Sequence, residues 1–149
     1  MKIASCALDG RTGHEAGRAL LAALYREETG LDLPPVAIAA GGKPYFPGSG
    51  WHFSVSFCAL SRREIGIDAE ELDRNVNLVL AEKILSPNEK AQFDAAPDKR
   101  RALLTFWVLK EARVKRTGEG LRGYPNKTDF SLDDPRVTEM DGCLVAVIE

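Results

Sequence analysis

The sequence predicts an α+β fold with two similar-sized halves that meet near Ser61. Three observations support this prediction. Strand and helix patterns follow in the order strand, helix, strands and then strand, helices, strands. A long helical pattern runs from about Asp98 to Thr117, with Gly118 just past its end. Asp141-Gly142 separates the last two strand patterns and is a strong hairpin signal.

The first half contains one helix pattern among short strand patterns. Residues 13–28 form the helix, which ends at Gly30 and carries one apolar face made by Leu20, Leu21, Leu24 and Tyr25. Strands are predicted at residues 2–8, 36–40 and 52–60. In the last of these, Phe53, Val55 and Phe57 alternate with Ser54, Ser56 and Cys58.

The second half contains three helix patterns and four strand patterns. The first helix follows Asn75 and runs through Leu85. Ser86-Pro87-Asn88-Glu89 is a capping box that begins the second, and the long helix is the third. Strands are predicted at residues 66–70, 128–132, 137–140 and 143–148. Residues 1–149 then form one domain, with a first lobe at about 1–60 and a second at about 61–149.

The composition is that of an ordinary globular protein. The chain has 149 residues, of which 44% are hydrophobic and 28% charged. A formal net charge of −2 predicts no strong attraction to nucleic acid or to a membrane surface. We find neither a signal-peptide pattern nor an apolar run long enough to cross a bilayer. Three widely spaced cysteines without metal-ligand spacing fit a reducing compartment, so a cytoplasmic location is expected.

Three carboxylates stand where a fold built only for stability would avoid them. Asp68 and Glu70 alternate with Ile67 and Ala69, so both point to the same side of one strand. Glu111 lies in the middle of the apolar face of the long helix, which Leu103, Leu104, Trp107, Val108 and Val114 form. A carboxylate buried there without a partner costs several kcal/mol or shifts its pKa.

One cation would satisfy all three carboxylates, because Asp68, Glu70 and Glu111 would otherwise repel one another. Hard oxygen ligands without His or Cys suit Mg²⁺, which also binds water and phosphate oxygens. Lys110 and Lys115 flank Glu111, as a phosphate-handling site requires. Two ordinary interpretations compete: an exposed edge strand bearing Asp68 and Glu70, and a Glu111–Lys115 pair at i,i+4.

These motifs resemble those of the 4′-phosphopantetheinyl transferases, in particular the two-lobed type that activates surfactin synthetase. The resemblance rests on Gly66-Ile67-Asp68-Ala69-Glu70, on Trp107-Val108-Leu109-Lys110-Glu111-Ala112-Arg113-Val114-Lys115 and on Gly118-Glu119-Gly120-Leu121. Upstream, Gly42-Lys43-Pro44-Tyr45-Phe46 and Phe53-Ser54-Val55-Ser56 resemble the segments that face coenzyme A in this family. The family has His after the serine, where this sequence has Phe57.

The resemblance implies a pseudo-twofold two-lobed fold in which antiparallel strands pack against a long helix in each lobe and coenzyme A binds between the lobes. It implies an enzyme, a holo-[acyl-carrier-protein] synthase or 4′-phosphopantetheinyl transferase. Such an enzyme moves the phosphopantetheine arm of coenzyme A to a serine of an acyl or peptidyl carrier protein, and releases adenosine 3′,5′-bisphosphate. Mg²⁺ is the implied cofactor and coenzyme A the substrate.

The resemblance also assigns roles to individual residues. Asp68, Glu70 and Glu111 would hold the metal, Glu111 would act as the base, and Lys115 would assist the leaving phosphate. The residues that would contact the coenzyme are Lys43, Pro44, Ser56, Lys110 and Lys115. Two other functions stay open at this point. One is a binding module of the same fold for coenzyme A or a carrier protein, and the other is a different Mg²⁺-dependent phosphoryl-transfer or hydrolase activity.

Overall fold

A computed structural model describes residues 1–6, 10–120 and 125–149 of the chain. In chain order, its helices and strands are β1 (Lys2–Ala4), α1 (Gly13–Thr29), β2 (Ala37–Ile38), β3 (Pro44–Tyr45), β4 (His52–Val55), β5 (Cys58–Ser61), β6 (Gly66–Glu71), α2 (Ala81–Ile84), α3 (Pro87–Ala95), α4 (Lys99–Thr117), β7 (Val137–Met140) and β8 (Cys143–Ile148). Short 3₁₀ turns lie at Leu78–Leu80 and Pro125–Lys127. The predicted α+β class is confirmed.

The first half is an antiparallel sheet with one helix against it. Its strand order is β1-β5-β4. Helix α1 begins at a capping box between Thr12 and Glu15 and ends at Gly30, whose φ of 73° is the left-handed cap that glycine favours. A core joins helix and sheet, formed by Leu21, Leu24, Tyr25, Phe46, Phe53, Cys58 and Leu60.

The second half repeats this arrangement. Its sheet has the order β6-β8-β7, so in both sheets the last strand of the half lies between the other two. The Asp141-Gly142 hairpin is present, with φ of 50° and 76° at its two central residues. Strand β5 ends at Ser61 and β6 begins at Gly66. The lobe boundary near Ser61 stays a prediction.

Helix α4 is the largest buried element of the second half. Asp98 caps its first turn and Gly118, with a φ of 74°, ends it, as the sequence predicts. The helix lies against β6, β8 and α3, so residues on several of its faces are buried: Ala102, Leu103, Leu104, Thr105, Phe106, Val108, Leu109, Lys110 and Ala112.

The predicted strand over residues 52–60 is wrong. The chain reverses at Ser56 and Phe57, and Val55 pairs with Cys58 in a tight antiparallel hairpin between β4 and β5. Alternation of apolar residues continues through the turn, so the pattern does not reveal it. Phe57 therefore does not continue the face of Phe53; it packs against a separate cluster that contains Ile65 and Ile67.

Other boundaries also differ from the prediction. Residues 128–132 form no strand, and the segment after Asn75 is a 3₁₀ turn followed by the four-residue helix α2. Strand β1 ends at Ala4, while Leu8 and Leu121 lie outside the described residues. Among the described helices, none is long and apolar enough to cross a membrane.

Candidate active site at the crossing of β6 and α4

The site is built where α4 crosses β6 at very short range. A Cβ added to Gly66 would lie 1.9 Å from the Ala112 carbonyl oxygen and 2.4 Å from the Arg116 nitrogen. Only glycine allows this approach, because any larger residue would push the helix backbone away. The Gly66 motif therefore has a steric explanation as well as a place beside the acidic residues.

The close crossing brings two side-chain rows together. Along β6, the period of two puts Gly66, Asp68 and Glu70 on one face. Along α4, Trp107, Glu111 and Lys115 lie on one face at i,i+4 spacing. The two rows interact in order, since Glu70 accepts a hydrogen bond from Trp107 and Asp68 contacts Lys115.

Asp68 is the most buried carboxylate of the site, with 5% of its surface exposed. Lys115 Nζ lies 2.6 Å from its Oδ1, and the Ser56 hydroxyl donates to the same oxygen at 3.4 Å. Its Oδ2 is buried and has no hydrogen-bond partner among the described residues. Burial raises the pKa of Asp68, and the Lys115 ammonium opposes this shift only in part.

Glu111 presents a second buried oxygen next to Asp68. Its Oε1 also has no hydrogen-bond partner in the described part of the chain. Burial raises the pKa of Glu111, and the negative charges of Asp68 and Glu70 raise it further. Two neighbouring carboxylates with unsatisfied oxygens are a donor set that suits a hard divalent cation such as Mg²⁺.

Glu70 is occupied in a way the sequence does not predict. Its Oε1 accepts from Trp107 Nε1 at 3.0 Å, and its Oε2 forms an ion pair with Arg74. Within residues 1–6, 10–120 and 125–149, no group of three His, Cys, Asp or Glu side chains is arranged to hold a metal ion. Glu70 is engaged by Trp107 and Arg74 in this structure, and its role as a metal ligand stays a prediction.

A pocket of about 290 Å³ opens beside the carboxylates. Three of the predicted coenzyme contacts, Lys43, Pro44 and Lys115, line it. Its other lining residues are Gly41, Gly42, Phe53, Ser54, Val55, Val114, Gly118 and Gly120. Lys115 thus lies between the pocket and Asp68, which places a cation where the two meet.

The ammonium group of Lys43 is bound to backbone rather than directed at open space. It donates to the Arg116 carbonyl in the last turn of α4 and to the Ile65 carbonyl at 3.4 Å. Burial lowers the pKa of Lys43; the charge of Glu64 counteracts this, and that of Arg116 adds to it. The aliphatic part of the side chain lines the pocket and packs against Gly118.

Two serines of β4 and its turn bind the backbone of β6. Ser54 Oγ accepts from the Ile67 amide at 3.1 Å, and Ser56 Oγ accepts from the Ala69 amide at 3.2 Å. Ser56 is one of the predicted coenzyme contacts, yet its hydroxyl lies against Asp68 rather than in the pocket lining. Ser54, which lines the pocket, belongs to the segment that resembles a coenzyme-facing one, but the sequence analysis does not single it out as a contact.

Lys110 lies away from the carboxylates, and its predicted role in coenzyme binding stays a prediction. Its ammonium is buried and lies 2.7 Å from Glu89 Oε2. It also donates to the carbonyls of Pro125 at 2.7 Å and Thr128 at 2.9 Å. The physical reason is helical geometry: adjacent residues point about 100° apart, so Lys110 cannot share a face with Glu111.

Comparisons with known proteins agree with this geometry. The family model described as the 4′-phosphopantetheinyl transferase superfamily matches residues 64–142, more than half of the chain, including both carboxylate motifs. The chain is similar to the 4′-phosphopantetheinyl transferase HetI of Nostoc sp., with 32% identity over 122 residues. That alignment covers 71% of this chain and 52% of the relative, so the chain spans about half the relative's length.

A solved structure, the holo-[acyl-carrier-protein] synthase of Thermotoga maritima, overlaps in part with a TM-score of 0.48 and 26% identity. The overlap covers 56% of this chain and 60% of that one, and we infer nothing further from it. The family match spans both β6 and α4, the two elements whose crossing forms the site. On that match, the chain belongs to the 4′-phosphopantetheinyl transferase superfamily.

Proposed function

We propose that this protein transfers the 4′-phosphopantetheine arm of coenzyme A to a serine of an acyl or peptidyl carrier protein, in a reaction that depends on Mg²⁺. The observation that carries the proposal is a pair of buried carboxylate oxygens, Asp68 Oδ2 and Glu111 Oε1, without hydrogen-bond partners among the described residues. They lie next to a pocket that Lys115 joins to Asp68. Family membership supports the same reaction class.

Asp68 and Glu111 are the residues that would hold the cation. Glu70 would join them only by giving up its ion pair with Arg74. When bound, Mg²⁺ would neutralise negative charge on the pyrophosphate of coenzyme A. Without it, burial raises the pKa of both carboxylates; the charge of Asp68 adds to the shift at Glu111, and the charge of Glu70 adds to both shifts.

The side chains divide the chemical step between them. The serine oxygen of the carrier protein forms a P–O bond at the phosphorus that bears the pantetheine arm, and the pyrophosphate P–O bond breaks. Glu111 takes the proton of the serine hydroxyl, as a carboxylate beside the reacting centre can do. Lys115 stabilises the leaving adenosine 3′,5′-bisphosphate by charge and hydrogen bonding. The pocket beside Lys43 and Pro44 would hold the coenzyme.

A cytoplasmic location is part of the proposal. Cys6, Cys58 and Cys143 are all free thiols. Free cysteines are typical of a reducing compartment, where coenzyme A and carrier proteins are also used.

Intact-mass spectrometry tests the proposed reaction. The protein is incubated with an apo carrier protein, coenzyme A and Mg²⁺, and the carrier is weighed before and after. We expect the carrier to gain the mass of one phosphopantetheine arm, and to gain none when EDTA replaces Mg²⁺. A set of acyl and peptidyl carriers that a known transferase loads, but that this protein leaves unmodified, would contradict the proposal.

A further inference from the structure

The edge of β6 that faces away from β8 is bonded by side chains instead of by a strand. Strand β8 pairs with one edge, in register from Gly66 with Ile148 to Glu71 with Cys143. Backbone groups of alternate residues in a strand point to opposite edges, and buried ones need hydrogen-bond partners. Among the described strands, none pairs with the other edge of β6, since β4 belongs to a different sheet.

Side chains from the first half of the chain take the place of the missing strand. Ser54 Oγ accepts from the Ile67 amide at 3.1 Å, and Ser56 Oγ accepts from the Ala69 amide at 3.2 Å. Just before the strand, the Lys43 ammonium donates to the Ile65 carbonyl at 3.4 Å. Three alternate residues along this edge, Ile65, Ile67 and Ala69, thus each have a backbone group that is hydrogen-bonded to one side chain.

Lys43 extends the same connection to α4. Its ammonium also donates to the Arg116 carbonyl, in the last turn of the helix. Carbonyls there lack partners within the helix, and the helix dipole favours a positive charge at this end. The backbones are close as well, because a Cβ added to Gly41 would lie 2.2 Å from the Gly118 carbonyl oxygen.

These contacts set the width of the pocket. Lys43 and Ser54 line one wall, while Val114, Lys115 and Gly118 of α4 and its cap line the opposite wall. Because Lys43 is bonded across to α4 and Ser54 to β6, the two walls cannot separate without breaking these hydrogen bonds, one partly buried and one buried. The distance from the pocket to Asp68 depends on the same bonds.

We propose that Lys43 and Ser54, with Ser56, are positioning residues: they clasp the first half of the chain onto β6 and α4 and so hold the coenzyme pocket in register with the carboxylates. In this view the charged end of Lys43 acts on the protein backbone and not on a coenzyme phosphate. The identity of the ligand rests on the proposed function, whereas the clasp itself does not.

The clasp is tested first without any ligand. Lys43→Met keeps the aliphatic stem and removes the donor, and Ser54→Ala removes one acceptor; Lys83→Met, on the exposed face of α2, is the matched control. We expect both clasp variants to unfold at lower urea concentration than the parent and the control. In Ser54→Ala, hydrogen exchange at the Ile67 amide should accelerate while exchange at Ala69 stays slow.

The second readout separates positioning from general destabilisation. Calorimetry should show coenzyme A binding weakened about tenfold in both clasp variants. Turnover at saturating coenzyme A should also fall, because a loosened pocket no longer holds the coenzyme in register with Asp68 and Glu111. Parent-like urea unfolding with weakened binding would make Lys43 a direct ligand and overturn the proposal. Lower stability with unchanged binding would also overturn it, since the clasp would then not position the pocket.

The measurements distinguish failure of the proposed function from failure of the clasp. If the parent binds no coenzyme A, the proposed function fails. The urea midpoints and the Ile67 exchange rate then decide the clasp by themselves, and unchanged values in both variants would disprove it.

Discussion

The carboxylate of Glu111 is desolvated and lies near other negative charges. In the absence of a cation, this arrangement lowers the stability of the folded protein. Burial is the largest cause of the raised pKa of Glu111, and the charge of Asp68 raises the pKa further. Glu111→Gln keeps the size of the side chain and removes the charge. We expect this variant to have a melting temperature at or above that of the parent without divalent cation, and to lose most of the stabilisation that Mg²⁺ gives the parent.

Thermal melts with and without Mg²⁺ check this prediction, and Glu119→Gln, a glutamate past the end of α4, serves as control. The control should follow the parent in both conditions. A large loss of stability in Mg²⁺-free Glu111→Gln would mean that the carboxylate is a structural group with partners, contrary to its proposed role as a metal ligand.

The three carboxylates should not contribute equally to metal binding. Asp68 and Glu111 each have a buried oxygen without a hydrogen-bond partner among the described residues, whereas both oxygens of Glu70 are engaged by Trp107 and Arg74. Titration of Mg²⁺ by calorimetry should show Asp68→Asn and Glu111→Gln weakening binding more than Glu70→Gln does. An equal or larger effect of Glu70→Gln would restore the three-carboxylate site predicted from the sequence.

Periodicity predicts which of these residues meet, up to a limit. A period of two aligns Asp68 with Glu70, and i,i+4 spacing aligns Glu111 with Lys115, so the centre of the site is readable from the sequence. Arg74 and Trp107 as partners of Glu70 are not, since their contacts depend on tertiary packing. The partners of Lys110 are not readable either, since Glu89, Pro125 and Thr128 meet it only through tertiary packing.

At the scale of elements, the crossing of β6 and α4 depends on Gly66. Its missing Cβ would lie 1.9 Å from the Ala112 carbonyl oxygen, so Gly66→Ala must push α4 away from β6. We expect a loss of about 1–3 kcal/mol in the free energy of unfolding together with a large loss of transfer activity, because Glu111 and Lys115 move with the helix. Urea unfolding and the carrier mass assay measure the two effects.

Gly13→Ala is the control for this substitution, since in the described part of the chain no atom beyond the neighbouring residues lies within 4 Å of the added Cβ at the start of α1. It should be neutral in both assays. If Gly66→Ala were equally harmless, the crossing would have room for a side chain, and the short approach would not explain the site.

The ion pair of Lys110 with Glu89 connects three segments of the second half. Glu89 also accepts from the amides of Ser86 and Phe130, which joins α3, α4 and the segment before β7. Lys110→Met leaves a buried carboxylate without its cation and should cost about 3–5 kcal/mol of stability. Urea unfolding measures this, with Lys90→Met as control.

Lys90 makes partly exposed pairs with Glu82 and Asp94, so its loss should change the free energy of unfolding very little. Equal costs for Lys110→Met and Lys90→Met would show that the buried pair contributes no more than a surface pair. A double variant in which Lys110 and Glu89 are both apolar should recover part of the loss, because no unpaired charge remains.

Local signals explain which elements were predictable. Helices α1 and α4 have caps at both ends, and α3 has a capping box with proline, so these helices were found close to their true bounds. The hairpin at Ser56–Phe57 lacks Gly, Asn or Asp, so no turn signal interrupts the alternation. The strand expected at residues 128–132 fails because that segment gives its backbone groups to Lys110, Glu89 and Gln92 instead.

For the whole molecule, the order of elements predicted the α+β class, and the repeated sheet order β1-β5-β4 and β6-β8-β7 agrees with it. How the two halves meet was not predictable from the sequence. That contact depends on side chains bonded to the edge of β6, and an unpaired edge leaves no periodic signature in a sequence. The two-lobed subtype inferred from the motifs stays a prediction.

We propose that Asp68 and Glu111 form a metal-dependent transfer centre beside a coenzyme pocket. The most direct test measures the rate of carrier loading and the affinity for coenzyme A in parallel, for the parent and for Glu111→Gln. We predict that Glu111→Gln still binds coenzyme A while loading falls by about 10²–10⁴-fold. Loading by Glu111→Gln at the parent rate would contradict the claim.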